Sequence, residues 1–147
     1  MEFITINGTS DDRYKHCLHI RTNVFVHEQG VEAALEQDEY DQLATHIVLY
    51  LDGEAVGTGR IRLLDTKAKI ERVCILKSAR NKGVGKRLIQ QMESKASDLG
   101  ASKLSLHSQE HALPFYLNLG YSIVSERFFD AGIPHFAMEK PIKKANG

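Results

Sequence analysis

The feature that most restricts how this chain can fold lies between Lys69 and Leu99, where the hydrophobic spacing changes from that of a strand to that of a helix. Lys69 to Ile75 reads as a strand. Ile70 and Val73 cannot share a face in strict alternation, which predicts a bulge near Arg72 and Val73. From Gly83 to Leu99, the residues Val84, Leu88, Met92, Ala96 and Leu99 fall on one face, and Gly100 is placed to end the helix. Joining strand to helix is the basic turn Arg80-Asn81-Lys82-Gly83-Val84-Gly85-Lys86. A helix with an apolar stripe must bury it on another layer, here a sheet.

The rest of the chain supplies that sheet. Phe3 to Ile6 reads as a short strand, and Ser10 with Asp11 and Asp12 as a helix cap. In the helix that follows, Tyr14, Cys17, Leu18, Arg21, Val24 and Phe25 recur at helical spacing, so the charged Arg21 sits on an apolar face and needs a partner. After an acidic stretch from Glu28 to Asp41 come His46 to Leu51, the hairpin signal Asp52-Gly53, and a partner strand from about Ala55 to Leu63. Lys103 to His107 reads as a strand. A short helix carries Phe115, Tyr116 and Leu119, with Pro114 in its first turn and Gly120 at its end. Strands from about Tyr121 to Glu126 and His135 to Lys140 flank the loop Gly132-Ile133-Pro134. This order implies an α/β (α+β) fold with a mixed central sheet and helices on its faces, as one domain over residues 1–142 with a frayed tail, 143–147.

Charge and composition exclude several classes of function. Lys plus Arg and Asp plus Glu each number 19 in 147 residues, so no long-range field draws in nucleic acid or an anionic membrane, and any anion site must be local. No apolar run approaches a membrane span and the N-terminus lacks the regions of a signal peptide, so a cytoplasmic location is expected. Cys17 and Cys74 fall outside any paired-ligand spacing, and neither His16 with His19 nor His107 with His111 has an obvious third ligand. No metal is expected.

The basic turn can be local in that sense. Amides at a helix N-terminus point outward unpaired, the helix dipole adds about half a positive charge, and Gly83 and Gly85 let an anion approach the backbone. Arg80, Lys82 and Lys86 add charge. The turn lacks the Lys-Ser/Thr of a P-loop and the spacing of a dinucleotide fingerprint. Taken alone, it could equally be a solvated basic loop.

In its setting the run Ile70-Glu71-Arg72-Val73-Cys74-Ile75 leading into Arg80-Asn81-Lys82-Gly83-Val84-Gly85 resembles the acetyl-CoA motif of the GCN5-related N-acetyltransferase (GNAT) superfamily. Gln109-Glu110-His111-Ala112 and Phe115-Tyr116 through Gly120-Tyr121 resemble its second block, with Gln109 where Asn is commoner. The stretches Arg21 to Gln29 and Gly132-Ile133-Pro134-His135 look like the ElaA-like branch. The resemblance implies a sheet of about six or seven strands with helices on both faces, and acetyl-CoA as donor. It places pyrophosphate on the amides of Arg80, Asn81, Lys82, Gly83, Val84, Gly85 and Lys86. Pantetheine would run along Val73, Cys74 and Ile75, with Gln109 and Tyr116 nearby.

It also implies chemistry. Tyr116 stands at the family's usual acid position, to protonate the departing thiolate, although packing against Phe115 and Leu119 would also account for it. Glu71 is the first candidate for a base acting through water, with a solvated strand face as the plainer alternative. An amide at Val73 or Cys74 would stabilise the oxyanion. For the acceptor, a small-molecule or peptide amine, the residues singled out are Arg21, Asp38 and Asp41 of the acidic box Glu36 to Asp41, and His135. Similar Arg, Phe and acidic spacing occurs in acyl-homoserine-lactone synthases, but those carry a Trp near this region and this chain has none. A CoA-sensing module without turnover is the non-enzymatic alternative. The resemblance also admits a homodimer.

Overall fold

The structure is a computed structural model and describes residues 1–33 and 38–143. Its first four strands, β1 (Glu2–Asn7), β2 (Thr45–Leu51), β3 (Glu54–Leu64) and β4 (Lys67–Ile75), pair antiparallel in sequence order. Asp52 and Gly53 at the β2–β3 turn both have positive φ, 51° and 81°, the backbone that matches the twist of a tight hairpin. The chain then crosses over through the helix Val84–Asp98 to β5 (Lys103–Gln109), which runs parallel to β4. The last strand, β8 (Ile133–Pro141), pairs antiparallel with β5 and with two short strands, β6 (Ser122–Ile123) and β7 (Phe128–Asp130).

The sheet has eight strands in the order β1-β2-β3-β4-β5-β8-β6, with β7 also on β8. The additional strand arises where the sequence suggests one continuous segment from Tyr121 to Glu126. Only Ser122–Ile123 pairs there, and Phe128–Asp130 folds back on β8 through Ala131 and Gly132, whose φ values are 52° and 76°. Ile133 and Pro134, expected in a loop, open β8; Pro134 faces the short edge strand β7, a tolerable place for a residue without an N–H.

Neighbouring residues on β2 show how the helices are divided between the faces. Ile47 packs beneath Leu88, Ile89, Met92 and Ala96 of the crossover helix, α2, together with Ile61, Ile70, Leu104, Leu106 and Met138. Val48, pointing the other way, packs with Cys17, Ile20 and Val24. Those residues belong to α1 (Tyr14–Arg21) and the wider π-helical turn Thr22–Glu28 that continues it. Leu88, Ile89 and Met92, each fully buried, contribute roughly 1.5–3 kcal/mol of transfer free energy apiece. A side chain on Gly59 would collide with Met92, so the glycine is what lets α2 lie close to β3.

Two local expectations change. Ser10 does not cap α1: the turn before it is held by the Asp11 carboxylate, which accepts from the Arg13 amide at 2.8 Å and pairs with its guanidinium. Leu99 is the C-cap of α2 and is 37% exposed, so the core stripe ends at Ala96. The short helix α3 is Leu113–Asn118, with Pro114 in its first turn as expected. Among the described residues no helix is long and apolar enough to cross a membrane.

Candidate active site

The site begins where β4 and β5 part. Their parallel register runs only from Lys67↔Lys103 to Ile70↔Leu106, although β4 continues to Ile75 and β5 to Gln109. On the other side of β4 the ladder steps from Arg60↔Glu71 to Thr58↔Cys74. Arg72 and Val73 therefore belong to neither register. Arg72 has φ of 55°, a left-handed value that is costly away from glycine, and the bulge lies where the spacing of Ile70 and Val73 requires one. A splayed strand pair and a bulge together leave backbone groups facing a cleft of about 1020 Å³.

Val73, Cys74 and Ile75 from β4, Gln109 from β5 and Tyr116 from α3 all line this cleft. At its basic end lie Arg80 and Gly85. Asn81 and Gly83 have φ of 64° and 75°, so the turn alternates in hand and presents successive amides outward. Gly83 is the N-cap of α2, and the amides of Val84, Gly85 and Lys86 have no acceptor within the helix. Asn81, Lys82, Gly83 and Lys86 are exposed, whereas the Val84 side chain, 3% exposed, is buried beside Leu49, Val56 and Ala79 and anchors the turn.

Tyr116 is buried and stands edge-on to Phe115 and Tyr121, with ring centroids 5.0 and 5.7 Å away. No hydrogen bond to its hydroxyl occurs among the described residues, and no buried side-chain oxygen or nitrogen there lacks a partner, so the hydroxyl faces the cleft. Burial, and secondarily the nearby Cys74 thiol, push its pKa up, keeping the phenol protonated.

The other end of the cleft is walled by ion pairs. Arg21, 1% exposed, donates to both oxygens of Asp41, at 3.0 and 3.2 Å; Asp41 is 2% exposed and also accepts from the Tyr14 hydroxyl at 2.5 Å. Arg60, which the sequence reading did not single out, is the hub. Its guanidinium reaches Asp41 at 2.8 Å, Asp38 at 2.6 Å and Glu71 at 2.8 Å, and it is itself 1% exposed. Arg72 pairs with the other oxygen of Asp38 at 3.2 Å. Burial alone would raise the pKa of Asp41, but hydrogen bonds from Arg21, Tyr14 and Arg60 prevail and hold it at about 2.

These contacts revise the sequence assignments. Arg21 and Asp41 do not line the cleft: they lie behind its wall and fix the segment that carries Asp38, which does reach it. Glu71 lines the cleft, but Arg60 and Arg62 engage both its oxygens and, against the effect of burial, hold its pKa at about 2, which removes the proton affinity a general base needs. His135 lines the cleft, its Nδ1 2.7 Å from the Ile133 carbonyl and its ring stacked on Phe128. Glu36 and Gln37 of the acidic box lie outside the described residues.

Two bridges span the cleft and had no clear signal in the sequence. Glu28 binds Arg80 through two bonds of 2.6 and 2.7 Å, and Gln29 exchanges amide hydrogen bonds with Gln109 at 2.8 and 3.3 Å. The end of the π-helical turn thus touches both walls.

A family model described as an acetyltransferase (GNAT) domain matches residues 9–142. Among curated proteins, the chain is 44% identical over 132 residues to the uncharacterised N-acetyltransferase YjcF of Bacillus subtilis, covering 89% of this chain and 94% of that one. Among solved structures, an acyl-CoA N-acyltransferase from Pseudomonas aeruginosa superposes with a TM-score of 0.85 at 24% identity, covering 95% of this chain and 99% of the other. ElaA of Escherichia coli superposes with a TM-score of 0.84 at 24% identity, covering 95% and 98%. At that identity the two structures speak for the fold.

Proposed function

Since this chain belongs to the acetyltransferase (GNAT) family and is accordingly an acyltransferase, we propose that it takes the acetyl group from acetyl-CoA and transfers it directly to the primary amine of a small molecule or peptide. The observation that carries the reading is the coincidence of three features in one cleft: the parting of β4 and β5, the bulge at Arg72 and Val73, and the turn at Arg80 to Gly85. The residues present suit such a donor, because outward amides at the turn match a pyrophosphate and an open strand edge matches an amide-bearing arm.

Acetyl-CoA supplies a thioester carbonyl and a thiol leaving group. The bulge leaves Val73 outside the ladder with β3, and its backbone amide would donate to the carbonyl oxygen as negative charge develops there. As the new C–N bond forms and the C–S bond breaks, the Tyr116 hydroxyl gives its proton to the sulfur and later regains one from the amine nitrogen through solvent. A buried phenol with raised pKa is a poor acid in water. The same burial penalises a bare thiolate beside it, which brings the two acidities together. Water in the open cleft takes the proton of the incoming ammonium, since Glu71 is committed to Arg60 and Arg62.

The test is release of CoA thiol from acetyl-CoA in the presence of a panel of amines. Thiol release that depends on an amine supports the reading. Tight CoA binding without release under any amine would instead mark a CoA-binding module.

A further inference from the structure

Among the described residues the histidines that line the cleft are His107, His111 and His135, and the last differs from the others in how its ring is held. Its Nδ1 lies 2.7 Å from the backbone carbonyl of Ile133. A carbonyl oxygen can only accept, so Nδ1 carries the hydrogen and, in the neutral ring, Nε2 carries the lone pair. Stacking on Phe128, with centroids 5.9 Å apart, holds the plane of the ring. Nε2 has no hydrogen-bond partner among the described residues, and none of their buried side-chain nitrogens or oxygens lacks one, so Nε2 opens to the cleft.

Sheet register sets this nitrogen across from the place of attack. His135 pairs with Gln109 on β5, and extending the parallel register from Ile70↔Leu106 by three residues brings Val73 about level with Gln109. Val73, Gln109 and His135 thus form a row over three strands, roughly 10 Å long in a paired sheet and longer where β4 and β5 part. Met138 and Ile70 pack beneath α2, so alternation puts His135 and Glu71 together on the opposite face. An acceptor held in that gap lies between a thioester at Val73 and the lone pair of His135. The carboxylates of the cleft are less suited to the task. Glu71 and Asp38 are held by Arg60, Glu28 is held by Arg80, and Asp130 is exposed at the end of β7, where a carboxylate is ordinarily a weaker base than an imidazole.

Resting on the proposed acetyl transfer, we propose that Nε2 of His135 receives the proton that the acceptor ammonium sheds before it attacks. The proton leaves the ammonium nitrogen for cleft water and passes to Nε2, giving an imidazolium steadied by the Ile133 carbonyl. The lone pair so freed forms the C–N bond as the C–S bond breaks. Tyr116 protonates the sulfur and is restored through solvent by the second amine proton, and the imidazolium returns its proton to solvent. The titratable groups about the ring are His107 on β5 and, around His107, Lys69 and Glu71 on β4 and Asp130 on β7.

The experiment follows kcat/KM for thiol release against pH, using whichever primary alkylamine of a panel of polyamines, aminoglycosides and ω-amino acids is turned over fastest, and hydroxylamine, which is uncharged near neutral pH. In wild type, kcat/KM for the alkylamine should stay within a few-fold from about pH 7.5 towards the amine's own pKa, although the neutral fraction grows about tenfold per pH unit over that range. His135→Asn, which keeps an N–H where Nδ1 stands, and His135→Gln should each lower it near pH 7.5 by roughly 10²- to 10⁴-fold. The deficit should shrink as pH rises and be smaller with hydroxylamine, while the acetyl-CoA dissociation constant stays at the wild-type value. A wild-type kcat/KM that climbs tenfold per pH unit up to the amine's pKa, or variants with wild-type kcat/KM, would overturn the inference and leave acetyl transfer intact. So would a deficit equal at every pH and with both amines, which marks a residue that only shapes the pocket. If wild type acetylates no amine of any class, the acetyl-transfer reading fails and this inference fails with it.

Discussion

Asp41→Ala removes the carboxylate on which two buried guanidiniums and a tyrosine hydroxyl converge, so it tests how much of the fold depends on this network. Arg21 and Arg60, each 1% exposed, would keep their charge and lose their shared partner. Breaking a buried pair by deleting one side typically costs about 3–5 kcal/mol, which in a chain of this size corresponds to a fall in Tm of roughly 6–20 °C. Urea unfolding of wild type and variant measures it as a shift in midpoint at constant m. The pH dependence is an independent check. Asp41 has its pKa lowered from about 3.9 in the unfolded chain to about 2 in the folded one. The stability it confers is therefore fully present above about pH 4 and is lost as pH falls through about 2, a span worth roughly 2–3 kcal/mol. The stability gap between wild type and Asp41→Asn should accordingly be constant near neutrality and narrow over that interval. Glu71 titrates in the same range but is common to both chains, so it largely cancels in the difference. An Asp41→Ala variant within about 1 kcal/mol of wild type would refute the argument, because losses of that size belong to exposed pairs.

Three further outcomes are expected. Tyr116→Phe keeps the ring that packs on Phe115 and Tyr121 and loses only the hydroxyl, so turnover should fall by about 10²- to 10⁴-fold with CoA affinity unchanged; wild-type turnover, measured where chemistry limits the rate, would return Tyr116 to a packing role. At Gly83 an added Cβ meets nothing within 4 Å, but φ of 75° is strained for a β-branched residue, so Gly83→Val should distort the turn and weaken CoA binding. Calorimetry showing wild-type affinity in the folded variant would remove the turn from the site. Glu28→Ala releases the Arg80 guanidinium from its two-bond clamp and should tighten CoA binding a few-fold at low salt, an effect that fades as salt is raised; unchanged affinity would mean that Arg80 does not reach the phosphates.

The sequence by itself determined the features that depend on short stretches of chain. The hairpin at Asp52-Gly53, the apolar stripe of α2 and the bulge demanded by Ile70 and Val73 follow from φ preferences and side-chain period, which act within a few residues. The basic turn is legible for the same reason, because its amides, dipole and glycines are adjacent in the chain. That Arg21 needed a carboxylate from the acidic segment was also legible, since a lone charge on an apolar helix face is too costly to leave unpaired. Only the tertiary structure decided that the carboxylate is Asp41 and that Arg60 binds it too. Arg60 and Arg62 alternate with Ile61 and Leu63, a pattern indistinguishable from a solvent-facing strand until α1 and the segment around Asp38 cover that face. The state of Glu71 was hidden for the same reason: its position on β4 is local, but its proton affinity is set by guanidiniums on β3 that reach it only through sheet register. The bridges from Glu28 and Gln29 join residues 52 and 80 positions apart, and no local preference encodes a contact that exists only once the sheet has brought its two walls together.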